Sequence, residues 1–179
     1  VHAYIAIKIL SKRWELGDPD GFIFNMSVGY DLAGIQTPKM NAFIDGMMDA
    51  EHLPAFTRAI EEAQAILPDM AEYIRAIDPH ICRSVTISTL HGCPPQEIES
   101  IASYLIREKH LHTLVKCNPT ILGYDFARKR LDAAGYDYIA FDDHHFKEDL
   151  QYEDAVPMFH RLMALAKKEG VSFGVKLSN

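Results

Sequence analysis

The sequence predicts an α/β fold, a partial (β/α)8 barrel with an N-terminal helical portion, and three observations carry that reading. Apolar runs of strand type alternate with runs of helical spacing along the 179 residues, an order that favours a parallel sheet. The stretch Arg83–Gly123 reads as strand, loop, helix and second strand, a βαβ unit whose strands should run parallel with a right-handed crossover. About four or five strands are expected in all, whereas a closed barrel needs eight and typically about 250 residues. The chain is therefore expected to be a single domain that is a fragment of a larger barrel domain. Residues 1–80 form its mostly helical portion with one strand, and residues 81–179 its βα units.

Each element follows from local chemistry. His2–Leu16 carries Ile5, Ile9 and Leu10 with Trp14 near its end, and Gly17-Asp18-Pro19 stops it, so it should be a helix. Phe22–Gly29 reads as a buried strand that ends in a small polar patch, after which Gly29, Gly34 and Pro38 punctuate a loop. Pro38–Ala50 and Pro54–Leu67 should be helices, followed after Pro68 by a shorter one, Asp69–Ile77. Ser84–Thr89 is β-branched and alternating, hence a strand. It stops at His91-Gly92-Cys93-Pro94-Pro95, where the prolines suit a first helical turn and Glu97 meets the positive end of the dipole. Ile98, Ile101, Ala102, Leu105 and Ile106 then recur on one face, the mark of an amphipathic helix.

A second strand, His112–Cys117, ends in Asn118-Pro119-Thr120. Tyr124–Ala134 should be helical with Gly135 as its cap, and Tyr138–Phe141 reads as a short further strand running into Asp142-Asp143-His144-His145. A long helix over Tyr152–Lys168 is expected to turn Phe159, Leu162, Met163 and Ala166 inward despite Pro157, before a last strand at Phe173–Leu177.

Bulk properties narrow the function. Net charge is −7 with no basic run among interleaved aromatics, which argues against a nucleic-acid partner. No apolar run approaches the roughly 20 residues of a membrane span, and the start lacks the zones of a signal peptide. With three cysteines, Cys82, Cys93 and Cys117, and no short-spaced pair, neither a disulfide framework nor a zinc or iron–sulfur site is indicated, and the expected location is a reducing cytoplasm. Any cluster would belong to another domain or chain. The absence of an initial methionine at Val1 suggests that an upstream portion is missing.

In parallel α/β sheets ligands gather at the carboxyl ends of strands, which is where His91, Cys93, Cys117 and Asn118 fall. The segments LVKCNPTILG, FGVKLSN, FNMSVGYDLAGI and VTIST resemble the catalytic barrel of the dihydroorotate and dihydropyrimidine dehydrogenase flavoproteins. STLHGCPP, VKCNPT, GYDYIAFDDHHF and VKLSN resemble more closely the family that carries the provisional label of selenate reductase iron–sulfur subunits. The resemblance implies a barrel within a multidomain oxidoreductase that passes electrons from a reduced pyridine nucleotide to a small-molecule substrate, with other domains or subunits as partners. It implies flavin mononucleotide (FMN) in the complete domain, and iron–sulfur clusters, FAD and NADPH only in other parts of the full-length protein. The fragment alone is expected to hold no cofactor firmly and to be inactive.

Residue by residue, the resemblance makes Lys176 the flavin neighbour, Asn25 and Gly29 substrate contacts, and Cys117 the acid/base. Asn118 is a further candidate substrate contact. Each has a plainer reading. Cys117 is also a small apolar filler, Asn118 the start of an Asn-Pro turn, and Lys176 one half of an ion pair. His91 and Cys93 also suit a tight strand-to-helix turn. The family pattern departs at Leu114, which stands where an asparagine is usual, and proline and asparagine are exchanged at Asn118-Pro119. That departure supports the alternative of a non-catalytic barrel scaffold that has lost its flavin. A third reading, metal-dependent hydrolysis at Asp142–His145, is weakened because neighbours on a strand point to opposite faces. No metal ligand is assigned.

Overall fold

The computed structural model describes residues 1–88 and 93–177. The elements run α1 (His2–Trp14), β1 (Phe24–Val28), α2 (Leu32–Ile35), α3 (Pro38–Met48), α4 (Pro54–Ile66), α5 (Ala71–Arg75), β2 (Cys82–Ile87), α6 (Pro95–Arg107), β3 (His112–Cys117), α7 (Tyr124–Ala133), α8 (His144–Glu148), α9 (Tyr152–Lys168) and β4 (Phe173–Leu177). The strands form one parallel sheet in the order β1-β2-β3-β4. The expected α/β class is what the chain adopts. Two compact units are distinguished, Val1–Met26 with Gln36–Ser84, and Ser27–Ile35 with Val85–Asn179, so the division falls inside β1 and β2.

The first unit is built on helices. α1 buries Tyr4, Ile5 and Ile9, and α4 buries Phe56 and Ala59. Tyr4, Phe22 and Phe24 meet edge to face, with centroids 5.7–6.1 Å apart, a geometry that suits their quadrupoles. Lys8 is buried among them, its ammonium 5.4 Å and 5.2 Å from the Tyr4 and Phe22 centroids and paired with Asp20. That pairing is what makes burial of the charge tolerable. α3 begins as its sequence implies, with Pro38 in the first turn and the Thr37 hydroxyl accepting from the Met40 N–H at 3.4 Å.

The second unit carries the apolar face of α6. Ile98, Ile101, Ala102, Leu105 and Ile106 are all buried, as their spacing predicts. α9 packs along α6, and Arg161 grips Glu99 through two bonds of 2.7 Å. Glu97 does more than face the helix dipole, because its Oε1 accepts the Leu32 N–H at 2.8 Å and so fixes the start of α2, a turn expected only as loop.

Three expectations change. The buried face of α9 is Ala155, Met158, Leu162 and Ala166, a stripe at spacings of three and four, whereas Met163 is 51% exposed. Tyr138–Phe141 is no strand. The Arg128 guanidinium takes the Ile139 and Tyr136 carbonyls at 2.6 Å and 2.9 Å, so a side chain satisfies acceptors that a ladder would have used. The last two residues of the polar run after it, His144 and His145, begin α8. At the ends of elements, β2 starts two residues early, and the helix expected over Asp69–Ile77 is a 3₁₀ turn at Pro68–Met70 followed by α5.

Replacing the fully buried Leu105 by alanine should cost about 2–5 kcal/mol in urea unfolding. Arg161→Ala, at an exposed pair, should cost about 1 kcal/mol or less.

Candidate functional site

The register of β3 and β4 sets the site. The two run parallel with Leu114 beside Gly174, Val115 beside Val175, Lys116 beside Lys176 and Cys117 beside Leu177. Residues in register share a face and successive residues alternate between faces. On β3, Thr113, Val115 and Cys117 are buried, while His112, Leu114 and Lys116 are half-buried. A side-chain carbon added at Gly174 would meet the Leu114 side chain at 3.7 Å, which places both on the second face. Lys116 and Lys176 therefore stand side by side on the face that Leu114 and Gly174 share, and Lys176 is exposed.

Cys117 lies on the other face. It is 2% exposed, its Sγ is 4.0 Å from the Val115 carbonyl, and burial pushes the thiol up to about 11. The structure does not bring it together with Lys176. Both sit at strand ends, as the sequence reading had them, but strand parity sends their side chains apart. Burial disfavours the thiolate, and the plainer reading of a small apolar filler also accounts for such a thiol.

Asn118 opens a 3₁₀ turn, Pro119–Leu122, and its amide donates to Asp149 Oδ2 at 3.1 Å. The Thr120 hydroxyl donates to the same oxygen at 2.6 Å. Asp149 is itself buried and pins this strand-end loop. Sequence reasoning missed it, because nothing in Lys147-Glu148-Asp149-Leu150 separates it from its solvated neighbours. Ser27 and Ser88 add a hydroxyl pair 2.8 Å apart, and the Ser88 N–H bonds to the Val28 carbonyl at 2.8 Å. Gly29 follows, exposed; a side chain there would make only an ordinary 3.5 Å contact with the Ser88 carbonyl, so space does not demand glycine. Asn25 belongs to the first unit, exposed, with its amide donating to the Met26 carbonyl at 2.9 Å.

His91 lies outside the described residues. Cys93 is half-buried, and burial with the nearby Glu97 carboxylate raises its thiol. An open cleft of about 370 Å³ beside the 3₁₀ turn and α8 is lined by Leu122, Tyr124, Phe126, Phe146 and Gln151 among others; Asp143 of the Asp142–His145 run lines it, whereas Cys117, Asn118 and Lys176 do not.

All of residues 1–179 match the family described as oxidoreductase YgfK, N-terminal TIM-barrel domain. The chain belongs to this family. The chain is 44% identical, over 193 aligned residues, to proteins of Escherichia coli strain K12 and of Escherichia coli O157:H7, each named "Putative oxidoreductase YgfK". The match covers 99% of this chain and 19% of each relative. The chain thus spans about a fifth of the length of the curated relatives it matches. No solved structure matches it significantly. Among the described residues no helix is long and apolar enough to cross a membrane.

Thiol labelling of the folded protein should modify Cys93 first, with Cys82 and Cys117 reacting only slowly until the chain unfolds. The Cys117 rate should keep rising with pH toward about 11, as mass spectrometry of labelled peptides over a pH series would show.

Proposed function

We propose that this domain forms one wall of a flavin-dependent oxidoreductase barrel, within a longer protein that passes electrons from a reduced pyridine nucleotide to a small-molecule substrate. The observation that carries the reading is the pair Lys116 and Lys176, in register at the carboxyl ends of parallel strands. An exposed cation such as Lys176 at a strand end attracts an anion placed against it. The anionic pyrimidine edge of a reduced flavin has this character, as does an oxyanion substrate.

These residues fit FMN, since Lys176 is exposed and Gly174 leaves room beside Leu114. Lys176, with Lys116, would hold the ring, and FMN would supply the hydride or electron transfer. The chain's own groups do the rest. The lysines hold negative charge, Asn118 is aimed by Asp149, and the Ser27–Ser88 pair offers a hydroxyl that can donate or accept. Iron–sulfur clusters, FAD and NADPH belong in this reading to other domains, in keeping with the resemblance to selenate reductase-type subunits.

The reading also includes a larger barrel. Val175 and Leu177 are 38% and 73% exposed, although their register partners Val115 and Cys117 are 0% and 2% exposed. Further βα units would cover this apolar strip. A second reading, a barrel scaffold without flavin, is favoured by Leu114, an apolar side chain on the very face where a ring would need a hydrogen bond.

The test uses the full-length protein. Released flavin should include FMN, and Lys176→Ala should lower FMN occupancy or slow flavin reduction about tenfold or more, the loss of one interaction of about 1.4 kcal/mol. Intact protein that yields no FMN would exclude the flavin reading and leave the scaffold.

A further inference from the structure

The polar run at Asp142–His145 acquires a different geometry once its conformation is known. As a strand, its neighbours would diverge, but His144–Glu148 is the helix α8. Residues four apart on a helix share a face, and His144 Nε2 lies 3.3 Å from Glu148 Oε2. His145 completes a group in which one ligand atom from each of His144, His145 and Glu148 lies within 4.8 Å of the others. The two aspartates are occupied elsewhere. Asp142 accepts the His144 N–H at 3.1 Å, and Asp143 pairs with Lys147 at 2.6 Å, which holds its carboxyl below the usual range.

The support for this group is anchored on its inner side. The Phe146 ring stacks on Phe141 with centroids 5.8 Å apart and meets Tyr124 edge-on at 5.6 Å. At the other end the Asp149 N–H bonds to the His145 carbonyl at 3.0 Å while its carboxylate holds Asn118 and Thr120. All three candidate ligands are exposed, so an ion can reach them from solvent.

We propose that His144, His145 and Glu148 form an open binding site for a divalent transition-metal ion. Two imidazoles and one carboxylate suit zinc, nickel, cobalt or copper, whereas calcium and magnesium call for oxygen ligands. Three protein ligands leave at least one position for water or a small ligand. A helix of five residues is too short to be stable alone, and an ion joining its first and last residues would brace the turn that delivers Asp149 to the strand-end loop. Imidazole ligates only as the neutral ring, so binding weakens as the solution is acidified.

The experiment is a calorimetric titration of the intact protein with Ni²⁺ at neutral pH, repeated on His144→Ala, Glu148→Gln and, as a control outside the group, His160→Ala. Wild type and His160→Ala should share a class of binding of one ion per chain that is at least about tenfold weaker in each of the other two. Circular dichroism should be the same for all four, since the altered side chains are exposed. The Glu148→Gln result decides the matter if His144→Ala disturbs the fold. Equal stoichiometry and affinity in wild type and Glu148→Gln would overturn the site.

Discussion

The pairing of β3 with β4 is the constraint on which the candidate chemistry depends. A parallel ladder fixes which residues are neighbours, and the strict alternation of side chains then fixes which of them share a face. With Leu114 beside Gly174 and Lys116 beside Lys176, one face carries both lysines while the other buries Val115 and Cys117. A shift of one residue in β3 would exchange its two faces. It would expose Val115 and drive a lysine into the apolar layer, at a cost of several kcal/mol for the charge alone.

What resists that shift is the helical layer. α6 presents five fully buried side chains in a single stripe, and α9 lies along it, tied at the surface by Glu99 and Arg161. The apolar stripe supplies most of the free energy, since an exposed ion pair contributes about 1 kcal/mol or less. Beyond the strands, order in the loops rests on individual polar groups. Glu97 holds the start of α2, Arg128 gathers the carbonyls before α8, and Asp149 binds the loop that begins at Asn118. In each case a charged side chain takes backbone or loop partners that regular structure leaves unmet.

This division explains what could be read from the sequence. The α6 stripe, the β3 alternation and the proline-led starts of α3 and α6 come from local periodicity, and they were legible residue by residue. The role of Arg128 was not, because Tyr138–Phe141 is as apolar as a strand and only a guanidinium eight to eleven residues distant shows that its carbonyls are already taken. Asp149 was equally silent among solvated neighbours. Cys117 was placed correctly along its strand but could not be assigned a face, since that requires knowing which side the helices cover.

The sequence by itself determined the α/β class, the order of most elements and the residues at the strand ends, because helical and strand periods are written in the spacing of apolar side chains. Tertiary structure alone decided which strand-end residues lie together. It put Lys116 with Lys176, sent Cys117 into the apolar layer, and set His144 and His145 with Glu148 on a short helix. Those outcomes depend on register between strands and on partners distant in the chain, which no local pattern records.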